Sequence, residues 1–238
     1  SRRGSKEIFL MDYDGFSPRQ ITRNGTINLN PRWSPDGKRL AYTSYRERRP
    51  GVFVTDLIQG GTRRLALKAD LATGAVWSPD GSMIAVALGR RGNTDLFLFQ
   101  SDGRLIRRLT THFAIDVDPS WSPDGKTLAF TSNRSGSPQV FLMDVTGKNI
   151  RRITFEGRYN SSPAWSPKGD LIAFNGMNKG EFKLFVIRPD GTGARRLTSV
   201  TGGQSDPAWS PDGRFLAFTL ERGRKSVYLM NLASGFLR

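Results

Sequence analysis

Apolar residues in this chain gather in runs of a few residues, each closed by a cluster of turn formers, and nowhere at sustained helical spacing. The stretch that begins at Pro119 shows the arrangement. Ser120-Trp121-Ser122 is a short run with an apolar centre, and Ser122-Pro123-Asp124-Gly125 is a tight-turn signature. Proline fixes φ at the second turn position, aspartate suits the third, and glycine accepts the left-handed conformation that follows. That is the chemistry of a type I turn with a glycine bulge joining two antiparallel strands. Thr127 to Thr131 predicts a second strand, Gln139 to Met143 a third, and Ile150 to Thr154 a fourth, with turns over Asn133 to Pro138 and Thr146 to Asn149. No window keeps a 3.6-residue apolar period long enough to predict a helix.

The pattern recurs with a fixed period. Trp33-Ser34-Pro35-Asp36-Gly37 returns at Trp77, Trp121, Trp165 and Trp209, each tryptophan 44 residues after the last, and the only change inside the phrase is Lys168 in place of aspartate. Pro167 and Gly169 keep the demanding positions of that turn. A repeat of this length marks a solenoid, a propeller or an array. The second strands, such as Leu40-Ala41-Tyr42, Ile84-Ala85-Val86 and Leu128-Ala129-Phe130, are apolar on both faces and must be covered on both sides. Stacking four-stranded sheets face to face around an axis does this, which predicts a β-propeller whose tryptophans pack between blades.

Five inner-strand pairs stand against six outer-strand pairs, the surplus one opening the chain at Ile8-Phe9-Leu10-Met11. The expectation is therefore an all-β, six-bladed β-propeller of four-stranded antiparallel blades, with one blade incomplete at the chain termini. Residues 1–24 form the partial blade, followed by blades at 25–68, 69–112, 113–156, 157–200 and 201–238. A closed five-bladed ring ranks second because it leaves one hairpin without a place. An incomplete blade would expose strand edges, which predicts a tendency to associate.

The net charge of +15 suggests a nucleic-acid partner at first sight. The positions argue otherwise. Arg63-Arg64, Arg107-Arg108, Arg151-Arg152 and Arg195-Arg196, with Arg19, put nine arginines at one repeat phase, the fourth strand. Charges there keep blade edges from pairing between molecules, and no basic groove with stacking aromatics is apparent, so no nucleic-acid partner is expected. The chain has no cysteine, which excludes disulfides and thiolate metal sites, and one histidine, His112, which by itself builds neither a triad nor an imidazole metal site. No apolar run is long enough to span a bilayer. The sequence starts at Ser1 without a visible leader, as a processed product or a fragment would.

The loops from each fourth strand to the next first strand differ most among copies: Asn24 to Asn30, Lys68 to Gly74, Thr111 to Asp118, Phe155 to Ser162 and Ser199 to Asp206. In a propeller they reach the mouth of the central channel, where a rigid frame presents binding residues. Two phases in them are polar. Asn30, Gly74, Asp118, Ser162 and Asp206 stand three residues before the tryptophans; Asn28, Ala72, Asp116, Asn160 and Gln204 stand five before. Their oxygens could hold a Ca²⁺ ion in the channel, or cap turns and bind water. The second reading is preferred, and no cofactor is expected. Asp116 and Asp118 are a carboxylate pair of the kind used in acid–base catalysis, yet nothing in the pattern points to an active centre. The chain reads as a binding module, not an enzyme.

Pro119-Ser120-Trp121-Ser122-Pro123-Asp124-Gly125-Lys126-Thr127-Leu128-Ala129-Phe130-Thr131-Ser132 resembles the WD40-like repeat of the form P-x-W-S-P-D-G-x-x-[IL]-A-[FY]-x-S. Together with the opening Ile8-Phe9-Leu10-Met11-Asp12-Tyr13-Asp14-Gly15 and with Arg152-Ile153-Thr154-Phe155-Glu156-Gly157, it resembles the C-terminal propeller of the TolB family, part of the Tol–Pal system of Gram-negative bacteria. The resemblance implies a periplasmic propeller that binds the peptidoglycan-associated lipoprotein Pal over the channel mouth and supports outer-membrane integrity and cell division. It adds Leu71 and Val117 to Gly74 and Asp118 as partner-binding positions, beside Asn28, Asn30, Asp116, Asn160, Gln204 and Asp206. Contact with TolA belongs in that family to an N-terminal α/β domain outside this sequence. The same repeat occurs in propellers that gate prolyl-oligopeptidase-type serine peptidases, which is the alternative.

Overall fold

A computed structural model describes residues 5–12, 16–65 and 69–232. Tyr13, Asp14 and Gly15 of the opening motif, Lys68 at the head of the second loop, and the chain end at Arg238 lie outside the described residues. All regular structure among the described residues is strand, in two compact units that divide between residues 108 and 109.

The first unit contains a two-stranded sheet, β1 (Phe9–Leu10) with β2 (Arg19–Gln20), and two four-stranded antiparallel meanders. These are β3 (Asn28–Trp33), β4 (Arg39–Ser44), β5 (Gly51–Asp56) and β6 (Thr62–Arg64), then β7 (Leu71–Trp77), β8 (Met83–Arg90), β9 (Asn93–Gln100) and β10 (Leu105–Arg108). The second unit contains β11 (Asp116–Trp121), β12 (Thr127–Ser132), β13 (Gln139–Asp144) and β14 (Arg151–Arg152), followed by β15 (Asn160–Trp165), β16 (Ile172–Asn178), β17 (Glu181–Ile187) and β18 (Arg195–Arg196). Its last sheet has three described strands, β19 (Gly203–Trp209), β20 (Phe215–Arg222) and β21 (Arg224–Asn231).

The structure corrects the expected count of six blades: among the described residues there are five, one per tryptophan phrase. The surplus opening hairpin does not found a blade, because it has no inner pair to build on. Among the described residues its strands pair only with each other, two residues each. Ile8 instead packs into the core of the first blade with Leu40, Tyr42 and Phe53, and Lys6 makes a single parallel bridge to Ile27 beside β3. Burying Ile8 contributes roughly 1.5–3 kcal/mol, which no solitary two-residue pairing matches.

Within each unit the sheets stack face to face, as the doubly apolar second strands require. Val52 and Val54 meet Ile84 and Val86 in the first unit. In the second, Val140 and Leu142 meet Ile172 and Phe174, while Leu184 and Val186 meet Leu216 and Phe218. Hydrogen bonds cross the same seams. Trp77 Nε1 donates to Arg32 O at 3.2 Å, and Trp209 Nε1 to Ala164 O at 2.8 Å. Trp77 and Trp121 are buried as expected, whereas Trp33 is 52% exposed, since the opening hairpin supplies no inner strand for it to pack on. The edge-strand arginines also do more than block pairing. Arg63 donates to Ser101 O, and Arg151 to Pro189 O at 2.6 Å, so each ties its fourth strand to a turn of the following blade.

Candidate functional site

The two polar phases lie inside the inner strands β3, β7, β11, β15 and β19, not in the loops before them. That corrects the loop boundaries, and it separates the phases by role.

The phase five residues before the tryptophan points inward. Asn28, Ala72, Asp116, Asn160 and Gln204 are all buried. Each polar member is satisfied by its own surroundings. Asn28 Nδ2 donates to Lys6 O at 2.9 Å. Asn160 Nδ2 donates to Gln139 Oε1 at 2.8 Å and to Glu156 O at 2.7 Å. Gln204 Oε1 accepts from Leu184 N at 3.1 Å, and its Nε2 donates to Val200 O at 3.2 Å. Asp116, fully buried, is paired with Arg134 at 2.9 Å, and that guanidinium also lies 5.2 Å from the centre of the Phe141 ring. These side chains pin the entering loops to the frame, which is the work of buried polar groups that are hydrogen-bonded. Sequence reasoning missed Arg134; the signal was an arginine in the second turn of the repeat whose acid partner stands 18 residues earlier.

The phase three residues before the tryptophan is a backbone device. Asn30, Gly74, Asp118, Ser162 and Asp206 all have positive φ, between 51° and 65°. Each sits in a register shift where the inner strand carries one residue more than its partner, as between Leu29 and Arg32 or between Ser161 and Ala164. The position selects residues that tolerate the left-handed region, which are glycine, asparagine and aspartate before others. Proline follows in four of the five copies, where its missing N–H is harmless on a bulged edge strand.

Within the second unit this phase also gathers charge. Asp118 Oδ2 accepts from Ser162 Oγ at 3.2 Å and from Thr131 Oγ1 at 3.4 Å. Burial pushes the Asp118 carboxyl above its ordinary value; the bonds from Ser162 and Thr131 oppose the rise, and the nearby negative charge of Asp206 adds to it. Among the described residues no group of three histidine, cysteine, aspartate or glutamate side chains is placed to hold a metal ion.

The surface that remains for contact is more apolar than the polar phases suggest. Asn30 and Asp206 are exposed and Val117 is half-buried. Leu71 is 37% exposed in the first unit; Phe113 at 87% and Phe155 at 71% stand out in the second. A search for oxygen-bearing side chains passes over Phe113 and Phe155, although both follow the recurring arginine-rich strand in its variable loop. His112 is exposed beside Phe113.

Repeated antiparallel meanders, a tryptophan bridging successive blades and a shared bulge at each inner strand define the class as a β-propeller built of tryptophan-centred repeats. The chain belongs to the TolB beta propeller domain family, PD40, whose model matches residues 1–201 and 160–238. A Tol-Pal system protein TolB of Desulfosudis oleivorans is 54% identical over 56 residues, 24% of this chain and 13% of that protein. The crystal structure of TolB from Acinetobacter baumannii superposes with a TM-score of 0.83 at 28% identity, over 97% of this chain and 58% of that one. A putative TolB from Agrobacterium tumefaciens superposes with a TM-score of 0.84 at 25% identity, over 98% and 87%. The chain thus spans little more than half of the Acinetobacter protein. Likeness to prolyl endopeptidases, at 14% identity and a TM-score of 0.70, shows the fold alone.

Proposed function

We propose that the chain is the non-catalytic, protein-binding propeller of a periplasmic Tol–Pal system, engaging the lipoprotein Pal through the loops that enter its inner strands and so supporting outer-membrane integrity and cell division. The family match along the whole chain carries this reading, together with relatives named as Tol-Pal system proteins. The exposed apolar side chains at the entry to the inner strands, Leu71 at the start of β7 in one unit and Phe113 and Ile115 before β11 in the other, support it, because such residues are the usual anchors of protein contact. No helix among the described residues is long and apolar enough to cross a membrane, and association with the outer membrane would run through the partner. Contact with TolA would belong to the further domain of the full-length relatives. The reading needs no resident cofactor.

Titration calorimetry with purified Pal tests it. Leu71→Glu and Phe113→Glu are each expected to weaken binding by about tenfold or more, the loss of an interface anchor. Equal binding by both variants removes this face from the interface. A flanking gene sequence encoding an α/β-hydrolase domain with a GxSxG elbow would replace the reading with peptidase gating.

A further inference from the structure

The seam between the third and fourth blades, wholly within the second unit, holds a groove of about 330 Å³. Phe174 and Phe185 form its floor, stacked with ring centres 5.6 Å apart, and Phe155, Met177 and Arg196 stand along its rim. The corresponding ring is covered in the first and third blades. In the first blade Arg46 lies 4.1 Å over Phe53, and in the third Arg134 lies 5.2 Å from the Phe141 centre. The residue at that phase in the fourth blade is Asn178, too short to cap Phe185, which is left half-buried.

The charge at this seam departs from the repeat in the same blade. Arg196 is the register partner of Phe185, and its counterparts Arg64 and Arg108 pair with Glu47 and Asp95. At the phases of those acids the fourth blade carries Lys179 where the first has Glu47, and Lys183 where the second has Asp95. Lys183 is already committed to Glu181 and to the carbonyls of Val200 and Gly202. Arg195 and Arg196 are both exposed, and their side chains have no hydrogen-bond or ion-pair partner among the described residues. The fourth blade therefore exchanges an internal cap and internal acids for an open aromatic floor beside guanidinium groups that make no ion pair among the described residues, with Glu156 the one acid along the groove.

We propose that this groove docks an acidic peptide segment of a partner protein, with an apolar side chain of that segment on the Phe185 ring and an adjacent carboxylate on Arg196. The volume suits one large side chain, and a guanidinium–carboxylate pair at its mouth supplies direction and register. The groove borders the Phe155 to Ser162 loop, one of those proposed above to contact Pal; the inference rests instead on the aromatic floor and Arg196, and its peptide test reads out independently of Pal.

Fluorescence anisotropy with a labelled Glu-Leu-Asp-Glu peptide tests the proposal, alongside one peptide with serine for leucine and one with lysine for each acid. The first is expected to bind; each change is expected to weaken binding by about tenfold, the equivalent of one charge-assisted contact or one buried anchor. Two protein variants are expected to do the same: Arg196→Glu, which reverses the exposed charge, and Asn178→Arg, which restores in cis the cap found in the first and third blades. Both alter exposed or half-buried positions, and circular dichroism verifies folding. Absence of binding by the wild-type chain, equal binding of the serine peptide, or indifference to both substitutions overturns the proposal, and the serine result would mark simple attraction of polyanions to a basic surface.

Discussion

Asp118 and Ser162 stand one full repeat apart, occupy the same bulge in successive inner strands, and are joined by a hydrogen bond of 3.2 Å from the serine hydroxyl to the carboxylate. The bond couples two blades through a pair of backbone positions that must both be left-handed. It also leaves a carboxylate in a place where burial disfavours its charge.

The folded-state pKa of Asp118 is raised above the ordinary 3.8, chiefly by burial. Its folded form therefore holds its proton more tightly than the unfolded chain does, and stability falls as pH rises from that ordinary value through the folded one. Asp118→Asn keeps the left-handed tolerance already used at Asn30 and removes the buried charge. Thermal unfolding is expected to show a higher Tm for the variant at pH 7 and a gap that closes below pH 3.8. A gap that widens in acid contradicts the assignment.

A β-branched residue at the bulge tests its backbone role. Ser162→Val at a φ of 51° is expected to cost about 1–3 kcal/mol, whereas Ser162→Gly or Ser162→Asn is expected to cost little. Urea unfolding distinguishes these from a loss of the hydroxyl alone, which all three share.

Asp116 is fully buried and is bound by Arg134, whose side chain is 13% exposed. Asp116→Ala strands the guanidinium and is expected to destabilise by about 3–5 kcal/mol. Asp116→Ala with Arg134→Met is expected to recover a large part of that, and a double-mutant cycle measures the coupling. If Asp116 were instead a binding residue, the single variant would keep its stability and lose only a ligand.

The turn of the fourth phrase keeps its chemistry in a displaced form. Ser34, Ser78, Ser122 and Ser210 donate to the aspartate two residues on, whereas Ser166 donates to Asp170, four residues on, at 2.8 Å. Asp170→Ala is expected to lower stability by roughly 1 kcal/mol, and adding Lys168→Asp is expected to restore it. The same substitution of Asp170 in a Lys168→Asp background should then have almost no effect.

The other turn aspartates titrate in the opposite sense from Asp118. The serine hydroxyl and a backbone N–H hold Asp36, Asp124 and Asp212 below the ordinary carboxylate value. Their contribution is present above pH 3.8 and is lost as pH falls through the lower folded value. Asp124→Asn is expected to lower Tm at pH 7 and to approach the parent near pH 2.

The repeat period, the position of every second and third strand and the turn chemistry were legible from Trp33 onward, because alternation and tight turns are local properties. The bulge was legible only as a polar phase. Asn30, Asp118 and Asp206 look like oxygen ligands on paper, and nothing short of a backbone angle reveals that left-handed tolerance selects them. Phe155, Asn178 and Arg196 are scattered over three segments, so the open seam they border has no local signature.

Residue order alone determined that this chain makes antiparallel blades with a tryptophan at each inner strand, since a strand apolar on both faces has few other ways to leave water. Tertiary packing decided how many blades there are and which polar groups are free. The opening hairpin joined the first blade because Ile8 found a core beside Tyr42 and Phe53, and Asp116 became structural because Arg134 reached it. Both outcomes depend on distances between segments far apart in the chain, which a one-dimensional pattern does not encode.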